Sequence, residues 1–171
     1  TDLTLLLPIA FILIALVLYL GFRTKRGVVL PLMTSAIAIV WAMGIMSMAG
    51  YEMSMVTNNI PIILLAVGSA YTIHVLNRIK LEREKDEKQA LIKAVTYIIV
   101  PVTLAGLTTA VGFISFIFGA YLNMIQSFGI FTALGTLFAL LLSIFFVPAL
   151  FSIMRPLKHR PGVRGKRPQD T

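Results

Sequence analysis

Long uncharged apolar runs alternate along this chain with short charged segments, and the lengths of those runs decide its class. Residues 3–22, 27–51 and 53–77 are each close to one membrane crossing in length, because spanning the hydrocarbon core takes about 20 apolar residues. Between 94 and 154 no charged residue occurs, a run too long for a single helix. Gly119, Asn123, Gln126 and Gly129 mark a turn inside it, dividing it into spans near 95–118 and 127–154. The charged stretch 79–93, "IKLEREKDEKQALIK", alternates in sign and sets Glu84 four residues before Lys88, a favourable pair on a helix. It predicts a short helix on the cytoplasmic membrane surface ahead of the fourth span, with a solvated charged loop as the alternative. The expected fold is all-α: a polytopic membrane bundle of five transmembrane helices plus that interfacial helix.

Composition makes the membrane assignment firmer. The chain is 58% hydrophobic and 13% charged, against about 45–50% and about 25% for a soluble domain. A water-soluble fold of 171 residues has too much surface for its volume to hide that apolar excess. The net charge of +8 raises the question of nucleic acid, and its distribution answers it. The fifteen basic residues fall after the first span (Arg23, Lys25, Arg26), after the third (Arg78 to Lys93) and after the fifth (Arg155 to Arg167). No basic patch interleaves with aromatics on a soluble surface, so nucleic-acid binding is excluded. Basic residues accumulate in cytoplasmic loops. Five spans with an outside N-terminus and a cytoplasmic C-terminus put all fifteen on one side of a cell (inner or plasma) membrane.

There is no cysteine, which removes disulfides and thiolate metal sites. The opening run lacks a basic n-region and a small-residue cleavage site, so it does not read as a signal peptide. A first residue that is Thr rather than Met reads as a fragment, a processed product or an expression product. Two domains are expected: a transmembrane domain over 1–155 and a basic, disordered cytoplasmic tail over 156–171. The tail is rich in Pro and Gly and suited to anionic headgroups.

Inside the spans, small residues four apart suggest helix packing: Gly106 with Ala110, Thr108 with Gly112, Gly129 with Ala133, and Gly135 with Ala139. The third span departs from the apolar pattern in "LLAVGSAYTIHVLNR". Tyr71 and His74 lie three apart, hence on one helix face, which Gly68 and Arg78 extend. An ionisable residue within a membrane helix usually faces the bundle interior or a water-filled cavity. His74 is therefore either a neutral, hydrogen-bonded structural residue or a proton-relay or substrate-contact group. Ser69, Thr108 and Thr109 are the hydroxyls placed to serve as its partners across the interface.

Three stretches carry a resemblance: "RGVVLPLMTSAIAIVWAMGIMSMAGYEMSMVTNNIPIILLAVGSAYTIHVLNR", "PVTLAGLTTAVGFISFIF" and "SFGIFTALGTLFALLLSIFFVPALF". In this order and spacing they resemble the resistance–nodulation–cell-division (RND) superfamily. More closely, they are similar to its MMPL-type branch of hydrophobe and lipid exporters, related to Patched and to sterol-sensing domains. The resemblance implies that the five spans correspond to helices two to six of one transporter half. A first helix and a large extracytoplasmic domain would precede them, and a second half would complete the machine. It also implies proton-driven export of lipids or other hydrophobic compounds. The family relay uses an acid in a Gly-x-Asp-Tyr pattern followed by His. Here Gly68, Tyr71 and His74 match, whereas Ala70 occupies the acid position and no Asp or Glu lies in any span. Either His74 replaces the acid as the titrating group, or the other half carries the acids, or the chain is not proton-coupled.

The expected function is thus the transmembrane part of a secondary-active exporter, with no covalent catalytic step, no enzyme activity, no cofactor and no metal. The Tyr71–His74 face is expected to turn towards the fourth span. The alternative is a sterol-sensing-like module that binds lipid or a partner and transports nothing. Expected partners are the lipid bilayer, a hydrophobic or lipid substrate, the other transporter half with its extracytoplasmic domain, and further copies in an oligomer.

Overall fold

The computed structural model describes residues 2–82 and 87–153. With no water in the bilayer core, each spanning segment must satisfy its backbone internally, and helices do so. The helices are α1 (Asp2–Phe22), α2 (Lys25–Met48), α3 (Ile60–Leu81), α4 (Glu87–Ile114), α5 (Phe116–Gly119), α6 (Asn123–Leu141) and α7 (Val147–Ile153). A short 3₁₀ turn, Thr57–Asn59, leads into α3, and a π-turn, Leu142–Phe146, joins α6 to α7. Among the described residues, four stretches are long and apolar enough to cross a membrane: Gly27–Met48, Thr57–Leu81, Leu91–Gly119 and Asn123–Ser152. With the 21-residue apolar α1 they make the expected helical membrane bundle.

The junctions follow from local chemistry. Arg23, at φ 48°, closes α1 in a left-handed turn, and Thr24 caps α2 by accepting from the Gly27 amide at 3.3 Å. Ser54 and Thr57 cap each other reciprocally ahead of α3. The Ser54 amide donates to Thr57 Oγ1 at 2.7 Å and the Thr57 amide to Ser54 Oγ at 3.1 Å, a hydroxyl version of the capping box. Pro61 sits in the first turn of α3, where its missing amide is harmless. The hairpin between the last two spans falls at residues 120–122, and Gln126 Nε2 fastens it by donating to Ala120 O at 2.9 Å. Gly129, expected to mark that turn, lies inside α6 instead.

The π-turn has an identifiable cause. Pro148 has no amide to offer the carbonyl of Ile144 four residues back. The helix widens just before it, and the Val147 amide donates to Leu142 O, five residues back.

The described residues of 79–93 belong to the two flanking helices and not to a separate surface helix. Residues 79–81 are the end of α3 and residues 87–93 the first turns of α4, so apolar helix continues directly into charged helix on both sides of the connection. The Glu84–Lys88 pair and the 156–171 tail fall outside the described residues. An ion pair that was not anticipated does the joining. Glu82 meets Arg78 at 3.0 Å and Lys93 at 3.2 Å, bridging the end of α3 to the start of α4.

α3 is the central helix and touches α1, α2, α4 and α6. Its contacts form a stack of levels spaced by four residues. At one level Leu64, from α3, fills the space beside Gly135 of α6 and Ala42 of α2. One turn on, Gly68 faces Ser35 of α2 and Ala139 of α6. At the third, Thr34, Thr72 and Ser143 meet through their hydroxyls. α3 and α6 therefore run parallel at a constant offset and α2 runs antiparallel to both. Small residues at each level let the three backbones approach closely, which is how membrane helices gain dispersion contact.

Candidate functional site

The site is built on the middle turns of α3. A Cβ on Gly68 would lie 2.8 Å from Ser35 Oγ and 3.2 Å from Ala139 Cβ, so the glycine is what admits α2 and α6 at this depth. Ser69 is buried, and its hydroxyl donates to Ala66 O of its own helix at 2.9 Å. Ala70 is half-buried. Tyr71 is 6% exposed and packs among Ala38, Val102, Ala139, Leu140 and Ile144. Its Oη approaches the Thr109 side chain of α4, yet no protein atom completes a hydrogen bond with it.

His74 takes a different direction. It is exposed on the outer face of α3, along a stripe shared with Ala66 and Asn77. Residues three apart on a helix diverge by about 60°, given 3.6 residues per turn. Tyr71 therefore enters the α4 side of the interface while His74 remains on its rim. The structure brings Tyr71 and Thr109 together and does not bring His74, Ser69 or Thr108 to them. Thr108 is exposed and donates to Leu104 O and Ala105 O within α4.

One further turn along α3, the Arg78 guanidinium lies 4.9 Å from the centre of the Tyr97 ring, besides its contact with Glu82. Lys80 Nζ stands 4.0 Å above the Phe22 ring, tying the α1–α2 turn to the end of α3. Arg78, Lys80 and Lys93 thus gather at one end of the bundle. An open cleft of about 540 Å³, lined by Ser115, Phe116, Tyr121 and Leu122 among others, lies at the other end, by the α4–α6 turn.

Two sets of buried hydroxyls escaped the sequence reading. Thr34, Thr72 and Ser143, all fully buried, form a chain across three helices. Thr34 Oγ1 and Thr72 Oγ1 are 2.8 Å apart, and Thr72 Oγ1 and Ser143 Oγ 2.9 Å. Thr34 also donates to Pro31 O at 2.9 Å or Leu30 O at 3.1 Å. Thr132 and Thr136 of α6 are equally buried, and neither Oγ1 has a protein partner. A signal for the first set was present: the spacing Leu64–Gly68–Thr72 repeats as Gly135–Ala139–Ser143. Only knowledge of the register turns that coincidence into contact.

These features define a multi-pass membrane protein, a helical bundle whose central helix carries polar groups at mid-depth. The whole of 1–167 matches the MMPL family, and the chain belongs to that family. Among curated proteins, the hopanoid transporter HpnN of Rhodopseudomonas palustris (strain TIE-1) is 32% identical over 97 residues, which is 56% of this chain and 11% of that protein. The chain thus spans about a tenth of the length of this relative. No solved structure matches.

Proposed function

We propose that this chain is the transmembrane part of a proton-driven exporter of lipids or other hydrophobic compounds, with the exposed face of α3 turned towards the remainder of the transporter. The observation that carries the reading is His74, an imidazole exposed beside Asn77 on the outer face of the central helix. Polar and ionisable groups inside membranes face protein or water rather than lipid. A face that carries both is thus one that a second helical unit or a hydrated path covers. Membership of the MMPL family and likeness to a protein described as a hopanoid transporter support export of a hydrophobic substrate. Such a role involves no covalent step, so the protein is not an enzyme.

With Ala70 at the position of the family acid, His74 takes the part of the proton-carrying group, since an imidazole can both accept and release a proton. Tyr71, one turn away, lies on the interior side of the helix, where its hydroxyl approaches Thr109 and not His74. Ser69, Thr108 and Thr109 play secondary parts. The exposed Thr108 is available to substrate or to another helix, whereas the bond of Ser69 to its own helix leaves it little to offer. The domain extends over 1–155, its basic end is cytoplasmic, and the other half, an extracytoplasmic domain and further copies complete the assembly in a cell membrane.

The test is lipid-probe transport by the full-length protein in liposomes under an imposed pH gradient. His74→Ala should reduce gradient-driven flux at least about tenfold, equivalent to about 1.4 kcal/mol on the coupled step. His74→Ala transporting like the wild type sinks the relay assignment. Transport absent from the wild type, with lipid still bound, sinks the exporter reading and favours a sensing module.

A further inference from the structure

Tyr71 and Thr72 are adjacent on α3, and they look into surroundings of opposite character. On the Thr72 side the hydroxyls of α2, α3 and the π-turn satisfy one another. On the Tyr71 side two hydroxyls, Tyr71 Oη and Thr136 Oγ1, are more than nine-tenths buried and meet no protein partner. Ordinary membrane-helix behaviour does not account for Thr136. Thr34, Thr96, Thr108 and Thr109 each donate to a carbonyl of their own helix, which Thr136 does not. Its hydroxyl is fully buried and makes no bond to its own helix.

The helix registers place these groups on neighbouring turns of one interface. Gly106 of α4 faces Leu140, and Gly129 of α6 faces the Phe113 carbonyl. In that antiparallel register Thr109 stands level with the turn of α6 that contains Thr136. α3 runs parallel to α6, with Gly68 level with Ala139. The Tyr71 side chain leans back towards the start of its helix, as helical side chains do, and so reaches towards the same level. Thr109 already donates its proton to Ala105 O at 2.8 Å, which leaves its oxygen free to accept.

We propose that Tyr71, Thr109 and Thr136 enclose an internal water site between α3, α4 and α6. The hydrogen bonds balance: Tyr71 Oη and Thr136 Oγ1 each donate to the water, and the water donates to Thr109 Oγ1. Three partners is the usual number for a buried water, and buried polar side chains without protein partners are where such waters are found. The bundle then has a dry seam, α2 against α3 and α6, and a wet one, α3 against α4 and α6. Thr132, buried and unpartnered one turn along α6, extends the wet seam away from the basic end. The site stands independently of whether the protein exports anything.

Radiolytic hydroxyl-radical footprinting tests it, because radicals made from a bound water modify the aromatic ring beside it even where bulk solvent cannot reach. In the full-length protein in nanodiscs, Tyr71 should be modified several-fold faster than Phe131, a ring 3% exposed that packs edge-on against Tyr51 and has no place in the proposed site. Thr136→Val, which keeps the shape and removes the hydroxyl, should bring Tyr71 down to the Phe131 level, and Thr136→Ser should preserve its labelling. Tyr71 as silent as Phe131 in the wild type overturns the proposal, as does a Thr136→Val protein with unchanged Tyr71 labelling. Where Thr136→Val does not fold, the wild-type comparison still decides.

Discussion

Gly129→Ala tests whether α4 and α6 approach as closely as described. A Cβ at Gly129 would lie 2.5 Å from the Phe113 carbonyl oxygen and 2.9 Å from Phe116 Cβ. Ordinary contact begins near 3.4 Å, so the carbonyl must retreat by roughly 0.9 Å. A backbone atom inside α4 cannot do that by rotating; the helices must part, or α4 must bend. Over-packing of this kind costs about 1–3 kcal/mol, and the higher half of that range applies where backbone is the obstacle. Alanine recovers about 1 kcal/mol of helix propensity over glycine, leaving a net loss of about 1–2 kcal/mol. Gly112→Ala is the control. It lies in the same helix pair, on the exposed face of α4, with nothing within 4 Å of the added methyl. It should gain about 0.5–1 kcal/mol. The two substitutions therefore differ in sign. Reversible unfolding in mixed micelles, followed by helical circular dichroism, measures both. Gly129→Ala at least as stable as wild type, or both variants shifting in one direction, would refute the packing described for α4 and α6.

Thr72→Val removes the central link of the hydroxyl chain. Ser143 loses its partner while Thr34 keeps its own-helix carbonyls, so the cost should be about 1 kcal/mol; adding Ser143→Ala should return part of it in the same unfolding assay. Glu82→Gln removes the carboxylate charge that Arg78 and Lys93 both meet at the end of α3. It should cost no more than about 1 kcal/mol at low salt and less at high salt, and a loss independent of ionic strength would contradict the ion-pair account.

The bundle was legible because lipid imposes a length on every crossing and the charges fall only between crossings. The first three spans could be drawn to within about four residues from run length alone, whereas dividing 94–154 into two needed the turn residues between them. The segment 79–93 was harder, because charge alternation reads alike whether a helix lies on the surface or continues out of the membrane. Spacing signals within the fourth and fifth spans were half informative. Gly106 and Ala110 do pack inward, whereas Thr108 and Gly112, with the same spacing, are exposed. A pair four apart marks a face, and only the partner helix decides whether that face is covered.

The same argument explains the site. The three-residue spacing of Tyr71 and His74 predicts one face, and a face is about 60° wide at that spacing, enough to straddle the edge of an interface. Tyr71 falls inside that edge and His74 outside it. The hydroxyls expected as partners for His74 are one on its own helix, Ser69, and two on the next, Thr108 and Thr109. Ser69 and Thr108 instead spend their protons on their own backbones, as serine and threonine in helices commonly do. The hydroxyls that do cross between helices, Thr34, Thr72 and Ser143, meet only because α3 and α6 are parallel and in step while α2 runs the other way, and because a π-turn before Pro148 sets the position of Ser143. A polar network on three helices depends on three registers at once, and no single stretch of sequence contains that information.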